Sequence, residues 1–119
     1  MSDKPVIAVD FDDTLAHCDT WQGPQTLSQP IPGAVEFLRA LANKYSPVVF
    51  SARAATMTGQ AAIWAWAREH GVEDLLYGVT SNKDFAFKHI VDDRAVAFRG
   101  DYDEVLRQLG INQLRLVTL

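Results

Sequence analysis

The sequence predicts an α/β fold, a parallel sheet covered by helices on both faces, and three observations carry that reading. Two continuous apolar runs, Val6-Ile7-Ala8-Val9 and Pro47-Val48-Val49-Phe50, have the β-branched content of strands buried within a parallel sheet. Segments of helical spacing alternate with such runs, so a β-α-β-α-β order with right-handed crossovers and three layers follows. At 119 residues, without internal repeat or low-complexity tract, the chain has the size of one ordinary domain, 1–119.

Val6-Ile7-Ala8-Val9 is the first strand and ends at Asp10. Residues 16–32 contain Pro24, Pro30 and Pro32 among Gly, Gln, Thr and Ser, and read as a loop. Gly33 opens a helix in which Val35, Leu38, Leu41 and Tyr45 recur at three- and four-residue steps, with Pro32 near its first turn. The second run ends at Ser51. Thr56 or Thr58 caps the next helix, where Ile63, Trp66, Ala67 and His70 share a face and Gly71 is the stop. Residues 75–79 read as the third strand and 89–91 as the fourth, which ends at Asp92. A last short helix lies between Asp101 and Leu109, with Asp101 and Glu104 at capping-box spacing and Gly110 after it.

Eleven Lys and Arg stand against 15 Asp and Glu, a net charge of −4, which leaves no basic footprint for long nucleic acid or an anionic membrane. Cys18 is the single cysteine, so an internal disulfide is excluded and a reducing compartment is expected. It lies among polar loop residues with His17 as its basic neighbour and reads as a spectator thiol. The run 6–9 is too short for a signal sequence or a membrane span, so a cytoplasmic protein with no membrane partner is expected.

In open parallel sheets ligands sit beyond the carboxyl ends of the strands. There this chain carries Asp10-Phe11-Asp12-Asp13-Thr14 after the first strand, Ser51-Ala52-Arg53 after the second, Asn82-Lys83 after the third and Asp92-Asp93-Arg94 after the fourth. Carboxylates gathered at one edge repel unless a cation neutralises them, and oxygen-only ligands favour Mg²⁺. A carboxylate beside such an ion can attack phosphorus in line, while a lysine holds the equatorial oxygens. Removing Asp10, Asp12, Asp13, Asp92 and Asp93 from the 15 acids leaves 10 against 11 bases, so the net charge belongs to this edge rather than to an acidic surface.

Asp10-Phe11-Asp12-Asp13-Thr14 resembles the Asp-x-Asp-x-Thr signature of the haloacid dehalogenase (HAD) superfamily of phosphohydrolases, and the later motifs follow in that superfamily's order over residues 6–94. The resemblance implies a Rossmann-like, HAD-like core and a phosphoric monoester hydrolase. Asp10 is then the nucleophile that forms an aspartyl-phosphate, and Asp12 is the acid/base. Ser51 hydrogen-bonds the phosphoryl group and Lys83 neutralises it. Asp92 completes the magnesium site with Asp10 and the backbone carbonyl of Asp12, and Asp93 adds a water-mediated metal contact. The residues alone leave Lys83 and Lys88 both available, with Lys83 favoured for its freedom to reach the phosphate. Thr14 either contacts substrate or ties the turn, and Arg53 and Arg94 either bind a distal part of the substrate or pair with a neighbouring Asp.

HAD enzymes commonly carry a cap domain after the first motif or between the second and third. Here residues 16–32 suffice for a flap, and 54–82 are taken up by one helix and one strand. A core without a cap is expected, with an open site that accepts a large substrate, borrows a lid from another subunit of a homo-oligomer, or has loose specificity. The Ser51-Ala52-Arg53 and Asp92-Asp93-Arg94 triplets are similar to those in phosphatase domains of polynucleotide kinases, which implies a nucleotide or oligonucleotide end as an alternative to a small phosphomonoester. Two readings lie outside this class: a receiver-like signalling module, whose phosphoacceptor belongs after the third strand, and a non-catalytic metal-dependent binder. His17, His70 and His89 lack metal-ligand spacing, and Trp64 and Trp66 read as packing groups. Trp21, in the polar loop, offers a ring to a substrate base or sugar.

Overall fold

Continuous apolar runs have no polar face to offer water, so they belong inside a sheet. In the computed structural model, which describes residues 3–18 and 20–111, β1 (Val6–Val9) and β2 (Ser46–Phe50) pair in parallel with Val9 opposite Val49. β3 (Gly78–Thr80) pairs with β2, and β4 (Phe87–Val91) with β1. All pairs are parallel, and the order among the described residues is β3-β2-β1-β4. The helices are α1 (Ala34–Ala42), α2 (Met57–Glu69) and α3 (Tyr102–Gln108), and 3-10 turns occupy Ala52–Ala55 and Glu73–Leu75. No helix among the described residues is long and apolar enough to cross a membrane.

Val9 and Val49 lie side by side on one sheet face and join one core cluster with Leu38 of α1 and Ile63, Trp66 and Ala67 of α2. Both helices therefore cover that face, as two right-handed crossovers stepping in one direction require. On the opposite face Ala8 and Val48 are buried, and the rings of Phe50 and Phe87 lie 5.5 Å apart. Residues 81–86 return from β3 to β4 without a helix, and α3 buries none of its residues. Among the described residues, then, the parallel α/β sheet has its helix layer on one face.

Local chemistry moves several boundaries from their expected places. Tyr45 lies beyond α1, which ends at Ala42 with Asn43 as its C-cap. The third strand is shorter and later than 75–79, because the Leu75 and Leu76 amides donate to Val72 and Glu73 carbonyls in a 3-10 turn. Thr56, not Thr58, caps α2: its hydroxyl accepts from the Gly59 amide at 3.0 Å. Gly59 sits where α2 meets the first 3-10 turn, and a Cβ there would run into the Arg53 carbonyl. Asp101 caps α3 by accepting from the Glu104 amide at 3.3 Å.

Candidate functional site

The connection leaving β1 leads to β2 on one side while β4 lies on the other, so a crevice opens beyond the carboxyl ends of β1 and β4. Val9 and Val91 are register partners, and Asp10 and Asp92 therefore emerge next to each other. The Asp10 amide donates to the Val91 carbonyl at 2.8 Å, which fixes this juxtaposition in the backbone. One carboxylate oxygen from each of Asp10, Asp92 and Asp93 lies within 4.8 Å of the others. Burial pushes the Asp10 carboxyl up to about 7, opposed by the Phe11 amide and reinforced by Asp93 and Asp92. That amide donates to Asp10 at 2.8 Å. A proton or a cation can relieve this crowding, and an all-oxygen donor set suits a hard ion such as Mg²⁺.

A tight turn follows β1, in which the Phe11 carbonyl accepts from the Thr14, Leu15 and Ala16 amides at 3.3, 2.8 and 3.1 Å. Phe11 and Leu15 are fully buried, and Phe11 meets Trp66 edge-on with ring centroids 4.9 Å apart. The core thus anchors both ends of the turn while Asp12 and Asp13 line the cavity. Asp13 adopts φ 60°, a left-handed conformation that Asp tolerates through local hydrogen bonding, and its carboxylate accepts from the Cys18 amide at 2.9 Å. The Thr14 hydroxyl is buried without a hydrogen-bond partner among the described residues.

Ser51, directly after β2, donates its amide to the Thr80 carbonyl at 2.9 Å. Its side-chain oxygen accepts from the Arg53 amide at 3.1 Å and so caps the turn Ala52–Ala55. Arg53 is 3% exposed and pairs with Asp12. Its Nε donates to both Asp12 oxygens at 2.9 and 2.8 Å, its Nη2 stands 2.7 Å from Oδ1, and its Nη1 donates to the Gly23 carbonyl at 2.9 Å. Of its two expected roles, Arg53 takes the pairing one here, and it binds the loop 16–32 to Asp12.

Asp10, Asp12, Ser51, Asp92 and Asp93 all line one cavity of about 600 Å³. Lys83 is exposed in the return segment and Lys88 is exposed on β4, and neither belongs to the cavity lining. Thr14, within the turn, also lies outside that lining. Arg94 does line it; its amide donates to Asp92 at 2.7 Å and its Nε is 4.0 Å from Asp93. Cys18, Trp21 and Ala52 also line it, as do Ser81 and Phe50, which the sequence did not single out as site residues. The strand-end rule finds Ser81 once β3 is known to finish at Thr80 rather than at residue 79.

Comparison with protein-family models, with curated proteins and with solved structures finds no match. The functional reading therefore rests on the geometry of this cavity and on the motifs that build it.

Proposed function

We propose that the chain is a magnesium-dependent phosphatase, a HAD-like core without a cap that hydrolyses a phosphomonoester through an aspartyl-phosphate on Asp10. The observation that carries this reading is the convergence of the Asp10, Asp92 and Asp93 carboxylates within 4.8 Å beyond two adjacent parallel strands. Asp10, Asp92 and Asp93 would hold the magnesium ion. Magnesium bound there supplies positive charge to the carboxylates and to the phosphoryl oxygens, which lets an anionic nucleophile approach an anionic ester.

Asp10 attacks phosphorus in line, forming an oxygen–phosphorus bond as the bond to the leaving oxygen breaks. The leaving oxygen departs with its electron pair and takes a proton from Asp12. Water then attacks the aspartyl-phosphate, giving its proton to Asp12, and phosphate departs as Asp10 is regenerated. The Ser51 hydroxyl has a free proton to donate to the phosphoryl group, because its oxygen is the acceptor in the turn cap. Lys83, on the 81–86 segment, supplies positive charge when that segment approaches the substrate. Both oxygens of Asp12 face Arg53, so proton transfer requires this carboxyl to turn away from the guanidinium toward the leaving group.

Turnover of p-nitrophenyl phosphate with magnesium and with excess chelator tests the reading. Activity is expected only with the metal and is expected to be lost in Asp10→Asn. A fully active Asp10→Asn protein, or magnesium binding without turnover on a panel of phosphate esters, sinks it.

A further inference from the structure

The cavity is lined by two chemically different kinds of surface. Asp10, Ser51 and Asp92 contribute polar surface, whereas Trp21 and Phe50 contribute aromatic surface that the proposed phosphoryl chemistry does not use. A volume of about 600 Å³ is in the range that holds a whole small molecule and exceeds what a phosphoryl group needs.

Trp21 is 57% exposed although it belongs to a loop tied down at several points. Its ring lies against the Arg53 guanidinium, whose carbon is 4.5 Å from the ring centroid. Arg53 is itself immobilised by Asp12 and by the Gly23 carbonyl, two residues beyond Trp21. Trp66 holds the same loop from below, its indole nitrogen donating to the Ser28 carbonyl at 2.8 Å. The ring is therefore oriented before any ligand arrives, and the surface that Arg53 leaves uncovered remains open to solvent. A pre-oriented aromatic face binds planar groups with little further loss of side-chain freedom.

We propose that Trp21 is a stacking platform for the leaving group, so that the substrate is a small phosphomonoester bearing a planar aromatic ring, of the nucleoside monophosphate kind. This rests on the phosphatase reading above. A long polynucleotide fits less well, since Arg94 is the only basic side chain lining the cavity among the described residues and the chain is net acidic.

The test compares kcat/KM of the wild type, Trp21→Ala and Trp21→Phe with magnesium on adenosine 5′-monophosphate, p-nitrophenyl phosphate and glycerol 3-phosphate. Loss of one stacking contact is expected to lower kcat/KM about 5- to 150-fold for the planar esters, mainly through KM. Glycerol 3-phosphate is expected to change less than twofold, and Trp21→Phe to retain much of the planar preference. An equal loss on all three esters, the signature of a merely disrupted loop, overturns the platform, as does no loss on any. Calorimetric titration of adenosine 5′-monophosphate into Asp10→Asn, with and without Trp21→Ala, separates the two readings. Trp21-dependent binding without turnover of any ester by the wild type removes the phosphatase and leaves the platform. Turnover with binding indifferent to Trp21 does the reverse.

Discussion

At the scale of single residues, Asp10 is the group whose chemistry is most altered by its surroundings. Its carboxyl, pushed up from 3.8 to about 7, keeps its proton in the folded chain over a range where the unfolded chain has lost it. The folded state then binds more protons, so this group's stabilisation is complete below about pH 4 and is lost as pH rises toward 7. In chelator the melting temperature is expected to be lower at pH 8 than at pH 5, and Asp10→Asn is expected to narrow that difference. Magnesium added at pH 8 is expected to restore stability, because the cation takes over the neutralising role of the proton. Thermal denaturation at the two pH values, with and without metal, reads this directly; a wild-type difference that Asp10→Asn leaves untouched contradicts it. The acidic positions were legible in the sequence because they follow apolar runs directly. The partner of Arg53 was not, since spacing alone admits both a substrate and a carboxylate, and only the folded path of the loop brings Asp12 against it.

At the scale of elements, the 3-10 turn Ala52–Ala55 does the work of aligning Ser51 and Arg53, and α2 holds that turn in place through Gly59. Gly59→Ala adds a methyl group against the Arg53 carbonyl, a backbone atom with no easy way to move. Ala favours a helix over Gly by about 1 kcal/mol, but overpacking a rigid contact costs about 1 to 3 kcal/mol or more. The variant is expected to be less stable in urea denaturation and, by shifting the turn, to weaken any activity that depends on Ser51; a stabilised variant refutes the close contact. β1, β2 and α2 were readable because β-branched runs, the Thr56 cap and the face of Ile63, Trp66 and Ala67 all agree. β3 was misplaced for a physical reason: Leu75 and Leu76 are apolar enough for a strand, yet their amides are taken up by the turn that begins at Glu73. Tyr45 kept the helical step of α1 in sequence while lying past its C-cap, with its amide still donating to the Leu41 carbonyl at 2.8 Å.

At the scale of the whole molecule, a chain order that runs β1, β2, β3 outward and then returns to β4 decides which parts of the sequence meet. Asp10 and Asp92 are separated by most of the described chain and are neighbours only because β4 docks on β1. Local spacing could predict each strand end but not this order, because pairing between distant strands depends on the three-dimensional path of the connections. Among the described residues β4 is an edge strand, three of its five residues are exposed, and no helix covers its outer side. Pairing over such a long separation closes a large loop, so it is entropically costly and has little local structure to support it. A cation shared by Asp10, Asp92 and Asp93 would consequently act as a clasp on the fold, joining β1 to β4. Magnesium is expected to slow hydrogen exchange at the Asp10 amide and along β4 more than in α1, and uniform protection across the sheet counts against this. On that view the cluster would have two linked duties: the ion that would prepare the carboxylates for chemistry would also fasten β4 to β1, so that loss of metal would loosen β4 before it unfolds the core.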